Sequence, residues 1–199
     1  MSTRYELTGR TQQKQRTRDA LVAAARALVT EGGAAPTVEA AAAAASVSRT
    51  TAYRYFPTQR ALLVAAHPET TLTTLVPDDA GDDPEERLLG AVATFIRTVM
   101  DTESQQRTML RLSLDPQVSP EALPLRQGRA ITWFEEALAP LRSHLTDDEI
   151  HRLAVSVRSA VGIESLVWLT DVAGLSRDEA AERMIWSARA LLRQALSDA

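Results

Sequence analysis

The sequence predicts an all-α protein of about nine helices and no strands, and three observations carry that expectation. Apolar residues recur at helical spacing, as at Leu21, Ala24, Ala25 and Leu28, the stripe that a 3.6-residue period lays along one face. Breakers stand where stripes end, at Gly32-Gly33, His67-Pro68 and Asp115-Pro116. Two boxes, Thr146-Asp147-Asp148-Glu149 and Ser176-Arg177-Asp178-Glu179, place a hydroxyl and a carboxylate three residues apart, which caps a helix start reciprocally.

The first helix is expected over residues 11–31, ended by Gly32-Gly33. Residues 37–56 read as two short helices joined by a tight turn. The hydroxyl of Thr37 can cap the first and that of Ser48 the second, with Ser46-Val47 supplying the turn and one apolar anchor. A fourth helix starts with Thr58 as cap and runs through Ala61, Leu62 and Leu63. Pro68 removes a backbone donor and clashes with the preceding turn, so this helix should stop or kink near 64–67.

Residues 76–84 form an acidic Pro/Gly-rich linker. Asp83-Pro84-Glu85-Glu86 then opens a fifth helix, with Asp83 as cap and Pro84 in the first turn. A sixth spans about 105–114. Ser119-Pro120 opens a seventh carrying Ile131, Trp133, Phe134, Leu138 and Leu141, with Pro124 splitting its first turns. The last two cover about 147–173 and 177–197, joined by Gly174-Leu175.

Composition bounds the function. In 199 residues there is no cysteine, which excludes disulfides, cysteine-based zinc sites and thiol catalysis. No apolar run is read as approaching the length of a membrane span, and the N-terminus is polar, so a cytoplasmic chain is expected. Net charge is −4, but it is unevenly spread. Residues 1–67 hold nine Lys/Arg against four Asp/Glu (+5), and residues 68–199 hold thirteen against twenty-two (−9). A basic head on an acidic body suits a binder that should meet phosphate with one face. Arg4, Arg10, Lys14, Arg16 and Arg18 form the basic approach to the first helix, either an arm toward DNA or a solvated terminus.

The segment 37–56 carries the chemistry. A helix-turn-helix places its second helix in the major groove of duplex DNA. On that second helix Arg49 and Arg54 offer planar forks that match guanine edges or phosphate oxygens. Thr50 and Thr51 can donate to phosphates, and Tyr53 and Tyr55 present hydroxyls on rigid rings. Val47 and Phe56 should pin the unit to a small core of its own.

Residues 37–63 resemble the DNA-binding region of the TetR family of bacterial transcriptional regulators. The resemblance rests on Thr37, Val38, Ala41, Ala45, Val47, Ser48, Thr51, Tyr53, Phe56 and Leu62, and on an all-helical layout of similar length. It implies a helix-turn-helix head at 11–67, preceded by a flexible arm at 1–10, and an effector-binding and dimerisation body at 68–199. Three positions depart from the pattern: Ser46 stands where the family has Gly, Ala40 is read at the family's Ile, and Gln59 at its Lys. Gly enters the left-handed turn without strain, so Ser46 should either be strained there or alter the turn. Gln59 or Arg60 would take over the phosphate contact at the next helix start.

The resemblance further implies a homodimer, most often a repressor, that reads a palindromic operator and answers to a small molecule. The final helix pair carries apolar and small residues on more than one face, and Val157, Val161, Leu166, Met184, Ala188 and Leu191 are expected at a dimer seam, with Trp186 beside them. Phe95, Val99, Met109, Leu112, Trp133, Phe134 and Trp168 are candidates to line an effector site or, as the plainer reading, to pack the core. Nothing points to a metal or cofactor. The three histidines, His67, His144 and His151, are expected on the surface. The cluster Asp147-Asp148-Glu149 sits where it stabilises a helix N-terminus, and no phosphate loop or nucleophile elbow occurs, so no enzyme is expected. The competing reading is a helical protein-binding adaptor with a vestigial DNA motif, suggested only by Ser46, Ala40 and Gln59.

Overall fold

The computed structural model describes residues 4–32, 35–67, 72–77, 79–114 and 128–198. Among these, every regular element is helical: α1 (Arg4–Gly32), α2 (Val38–Ala44), α3 (Arg49–Tyr55), α4 (Gln59–Ala66), α5 (Pro84–Asp101), α6 (Glu103–Ser113), α7 (Arg129–Ala137), α8 (Asp147–Ala160), α9 (Ile163–Val167) and α10 (Arg177–Ser197). A 3-10 turn at Ala139–Ser143 follows α7, and a π turn at Trp168–Val172 follows α9. The chain divides into two compact units, a head at Met1–Thr70 and a body at Thr71–Ala199.

The caps expected from the sequence are made. Thr37, Ser48 and Thr58 accept the N–H groups of Ala40, Thr51 and Ala61 at 3.1, 3.2 and 3.1 Å. Asp83 accepts Glu86 N–H at 2.7 Å, with Pro84 in the first turn. Both reciprocal boxes, Thr146/Glu149 and Ser176/Glu179, are complete. Each satisfied cap contributes about 1 kcal/mol, because helix-start N–H groups have no partner within the helix.

The head has its own core. Leu21, Val22 and Ala25 of α1 close on Val38, Ala41 and Ala42 of α2, Ala52 of α3, Phe56, and Leu62 and Ala66 of α4. α1 begins at Arg4, before the expected start at Thr11, so residues 4–10 continue the helix rather than precede it. Ala40 is exposed while Ala41 is fully buried, which moves the core position expected at Ala40 one residue on. His67, expected on the surface, is buried where α4 ends.

The body packs α10 on α5 and α8, and α7 on α5 and α8. α5 buries Leu88, Ala91, Val92, Phe95, Ile96 and Val99 along one stripe. Phe134 of α7 meets Phe95 edge-on, with centroids 5.8 Å apart, worth about 1 kcal/mol beyond the buried area. Burial of each such large side chain contributes about 2–3 kcal/mol. Arg87 donates to the carbonyls of Gly81, Glu136 and Ala137, and Trp133 Nε1 to Thr73 O at 3.0 Å, so α7 holds the linker in place. The expected helix start at Ser119-Pro120 lies outside the described residues. Leu138 directly follows α7 and Leu141 falls within the 3-10 turn.

One predicted helix is broken. The run expected over 147–173 stops at Val161, which is extended, and turns at Gly162 with φ +124°. By length and composition alone the run 147–172 would cross a membrane, with a mean hydropathy of 1.3 over 18 residues, contrary to the sequence reading. Its apolar side chains Val157, Val161, Ile163 and Leu166 are instead buried in the body's core.

Candidate nucleic-acid interface

The turn between α2 and α3 is built by backbone chemistry. Val47 N–H donates to Ala42 O at 2.9 Å and Ser46 N–H to Ala43 O at 3.2 Å, the paired bonds of a Schellman helix end. The motif needs a left-handed residue, and Ser46 takes that role at φ +54°. Of the two expected outcomes for Ser46, the strained one is observed. Val47, half-buried against the head's core, anchors the turn.

α3 then presents two faces. Ala52, together with Phe56 just beyond the helix, points inward at 0% and 3% exposure. Arg49, Thr50, Tyr53 and Arg54 lie outward, and Thr51 and Tyr55 are half-buried at the edge. The Arg54 guanidinium lies 5.8 Å from the centre of the Tyr55 ring. Arg18 of α1 lies 5.5 Å from that of Phe56. Ser48 Oγ, besides capping, donates to Thr51 Oγ1 at 2.8 Å.

The sequence reading missed Glu39. Its Oε1 accepts from Arg49 Nη2 and from Tyr53 Oη, each at 2.6 Å. The Tyr53 hydroxyl foremost, then its own backbone N–H, and also Arg49, pull the Glu39 carboxyl down to about 2. The same contacts push the pKa values of Tyr53 and Arg49 up. The signal was present as one acidic residue in the first turn of a helix facing a basic one, but ten and fourteen residues separate the partners. Gln59 also has a role that was not anticipated: its Nε2 donates to Ala35 O at 2.8 Å and Pro36 O at 3.1 Å, tying the start of α4 to the loop before α2. Arg60 beside it is exposed.

A family described as bacterial regulatory proteins, tetR family, matches residues 21–66, which contain the whole helix-turn-helix. Residues 21–66 carry the DNA-binding domain of the tetR family of bacterial regulatory proteins. The crystal structure of a TetR transcriptional regulator from Rhodococcus sp. RHA1 superposes with a TM-score of 0.60 over 90% of this chain and 97% of that one, at 20% identity. That likeness shows the fold. No curated protein matches the chain.

In the body the residues singled out from sequence separate into two groups. Phe95, Val99, Trp133 and Phe134 are buried together in the core, Met109 is buried apart from that cluster, and Leu112 is half-buried. Trp168 is not with them: it is 60% exposed on the outer side of the π turn. Val157, Val161, Leu166, Met184 and Ala188 are fully buried within their own chain and Leu191 is half-buried. These five face inward because they fill the body's core. The outer face of the final helix pair is carried instead by Trp168, Val172 and Trp186, each about 60% exposed. Trp168 lines a shallow groove of about 400 Å³ with Glu164, Leu169, Arg183 and Ser187.

Proposed function

We propose that this regulator is a ligand-responsive repressor that binds a palindromic duplex operator as a homodimer in the cytoplasm and carries out no catalytic step. The observation that carries the reading is the outward row Arg49, Thr50, Tyr53 and Arg54 on α3, set on a helix-turn-helix whose caps, turn and core are complete. Base edges fall to the Arg49 and Arg54 forks, and phosphate to Thr37, Ser48, Thr50, Thr51, Tyr55 and Arg60. Two recognition helices about 34 Å apart across a two-fold axis would read half-sites one helical turn apart.

The dimer reading is supported by Trp168, Val172 and Trp186, three large apolar side chains each about 60% exposed on the last helical segments. The effector reading follows the regulator family that residues 21–66 match. A ligand held in the body would shift the separation of the two heads and release DNA.

Fluorescence anisotropy with DNA flanking the protein's own gene, at two salt concentrations and against random competitor, tests the reading. Salt-sensitive binding that survives competitor is expected. Binding no tighter than to random DNA at every flanking segment would favour the protein-binding adaptor.

A further inference from the structure

Arg49 and Tyr53 stand one turn apart on α3, and both donate to one oxygen of Glu39, which reaches them from the first turn of α2. Two strong donors converging at 2.6 Å on a single anionic oxygen make an anion seat. Left open, such a seat on a nucleic-acid-binding surface would take a phosphate oxygen. Here the chain fills it.

We propose that Glu39 is a specificity-determining residue of the DNA-binding face, a built-in phosphate substitute that keeps Arg49 and Tyr53 from gripping the backbone of any sequence. The assignment rests on the DNA-binding reading given above. Arg49 commits only one N–H to Glu39 and stays 73% exposed. Its remaining N–H groups are therefore available to neutral acceptors such as guanine O6 and N7. A phosphate arriving at the same place must displace the carboxylate or sit against it, and two anions in contact repel. Glu39 stays ionised throughout the pH range in which duplex DNA is stable, because Tyr53, its own N–H and Arg49 hold it far below that range. The seat therefore admits base edges and disfavours phosphate, which widens the gap between specific and random binding.

The test is Glu39→Gln, which keeps shape and hydrogen bonding while removing the charge. Binding to a random-sequence duplex is measured over a salt series, beside the duplex from the gene's flank. Affinity for random DNA should rise roughly fivefold per head, the scale of one like-charge repulsion at contact distance in water. The plot of log affinity against log salt should steepen by about 0.9 for each phosphate newly held. In the R49A/Y53F background that steepening should vanish. Equal weakening on both duplexes, or an unchanged slope, overturns the assignment and leaves the DNA-binding reading intact. Wild-type protein that binds no duplex even at low salt overturns both. A thermal melt confirms that each variant is folded, and Glu39→Ala, which removes charge and acceptor together, must steepen the slope in the same direction.

Discussion

Gly162 and Arg158 occupy one corner of the body: a Cβ at 162 would lie 2.6 Å from Arg158 Nη1. That guanidinium is not free to yield. It donates to Val161 O at 2.9 Å and to Glu164, and it lies 5.5 Å from the centre of the buried Phe95 ring. Gly162 itself sits at φ +124°, which L side chains rarely adopt. Gly162→Ala therefore combines strain with displacement, and should destabilise the body by about 2–4 kcal/mol. Urea unfolding measures the loss. Adding Arg158→Ala relieves the steric part only, so the double variant should lose less than the sum of the two single ones.

Ser46 offers the opposite case. A left-handed conformation costs a non-glycine residue about 1–2 kcal/mol, and Ser46 sits there at φ +54°. Ser46→Gly removes that strain, offset in part by the extra freedom glycine has when unfolded. A gain of about 0.5–1 kcal/mol in head stability is expected, read as a higher melting temperature. A loss would mean that the Ser46 side chain contributes something its strained backbone conceals.

On the DNA face the substitutions should sort by what each group meets. Arg49→Ala should relax base preference, with discrimination between operator and mismatched duplexes falling by about 1–3 kcal/mol. Thr51→Ala should weaken all sequences alike, whereas Tyr53→Phe, which removes a hydroxyl already held by Glu39, should leave the salt slope unchanged. Gln59→Ala should act on folding, costing about 1 kcal/mol for its two carbonyl contacts. Arg60→Ala should instead lower the salt slope and leave the melt unchanged. Anisotropy beside thermal melts separates these outcomes.

Much of this was legible because it is local. A hydroxyl three residues before a carboxylate, as at Thr146 and Ser176, announces a cap through chemistry confined to one turn, and all of those caps formed. The break at Gly162 was hidden because one glycine in an apolar helical run costs only about 1 kcal/mol and the pattern continues past it. Which face of a helix meets solvent was hidden too. Val157 and Met184 suit a seam or a core equally by composition, and only the presence of α5 and α7 decides for the core. Glu39, Arg158 and the cluster of Glu103, Arg107, Asp171 and Arg177 join residues that no local pattern links.

That cluster sets an acid limit. Arg107 donates to both oxygens of Asp171, at 2.6 and 2.8 Å, and to Glu103 at 2.7 Å, while Arg177 also holds Glu103. Arg107 first, with Thr170, draws the Asp171 carboxyl down from 3.8 to about 2. For Glu103, burial opposes ionisation, but Arg177 and Arg107 outweigh it and its pKa falls as well. A carboxyl whose folded pKa is depressed contributes stability that is fully present above its unfolded pKa and is lost as pH falls through the folded one. The stability difference between wild type and Asp171→Asn should therefore be full at pH 5 and above, and shrink as pH falls from about 4 toward 2. Because Asp171 is half exposed, the difference should also shrink with added salt. Urea unfolding at neutral pH and near pH 3, at low and high salt, checks both trends, and a difference that holds constant would remove the ion pairs from the account.

The exposed tryptophans give the decisive test of assembly. Trp168 and Trp186 stand on the π turn and on α10, both near 60% exposed, with Val172 equally so. Buried in a two-fold seam, such side chains are the type that dominates binding energy, at about 2 kcal/mol or more each. Trp186→Glu should then raise the dimer dissociation constant roughly 30-fold or more, seen by sedimentation as a shift toward monomer. Neither residue is in the body's core, so the helical circular dichroism should stay unchanged. Operator affinity should fall with the dimer, since one head alone makes half of the phosphate contacts and its salt slope should be about half as steep. A variant that remains dimeric and binds DNA as before would place the interface on another face of the body.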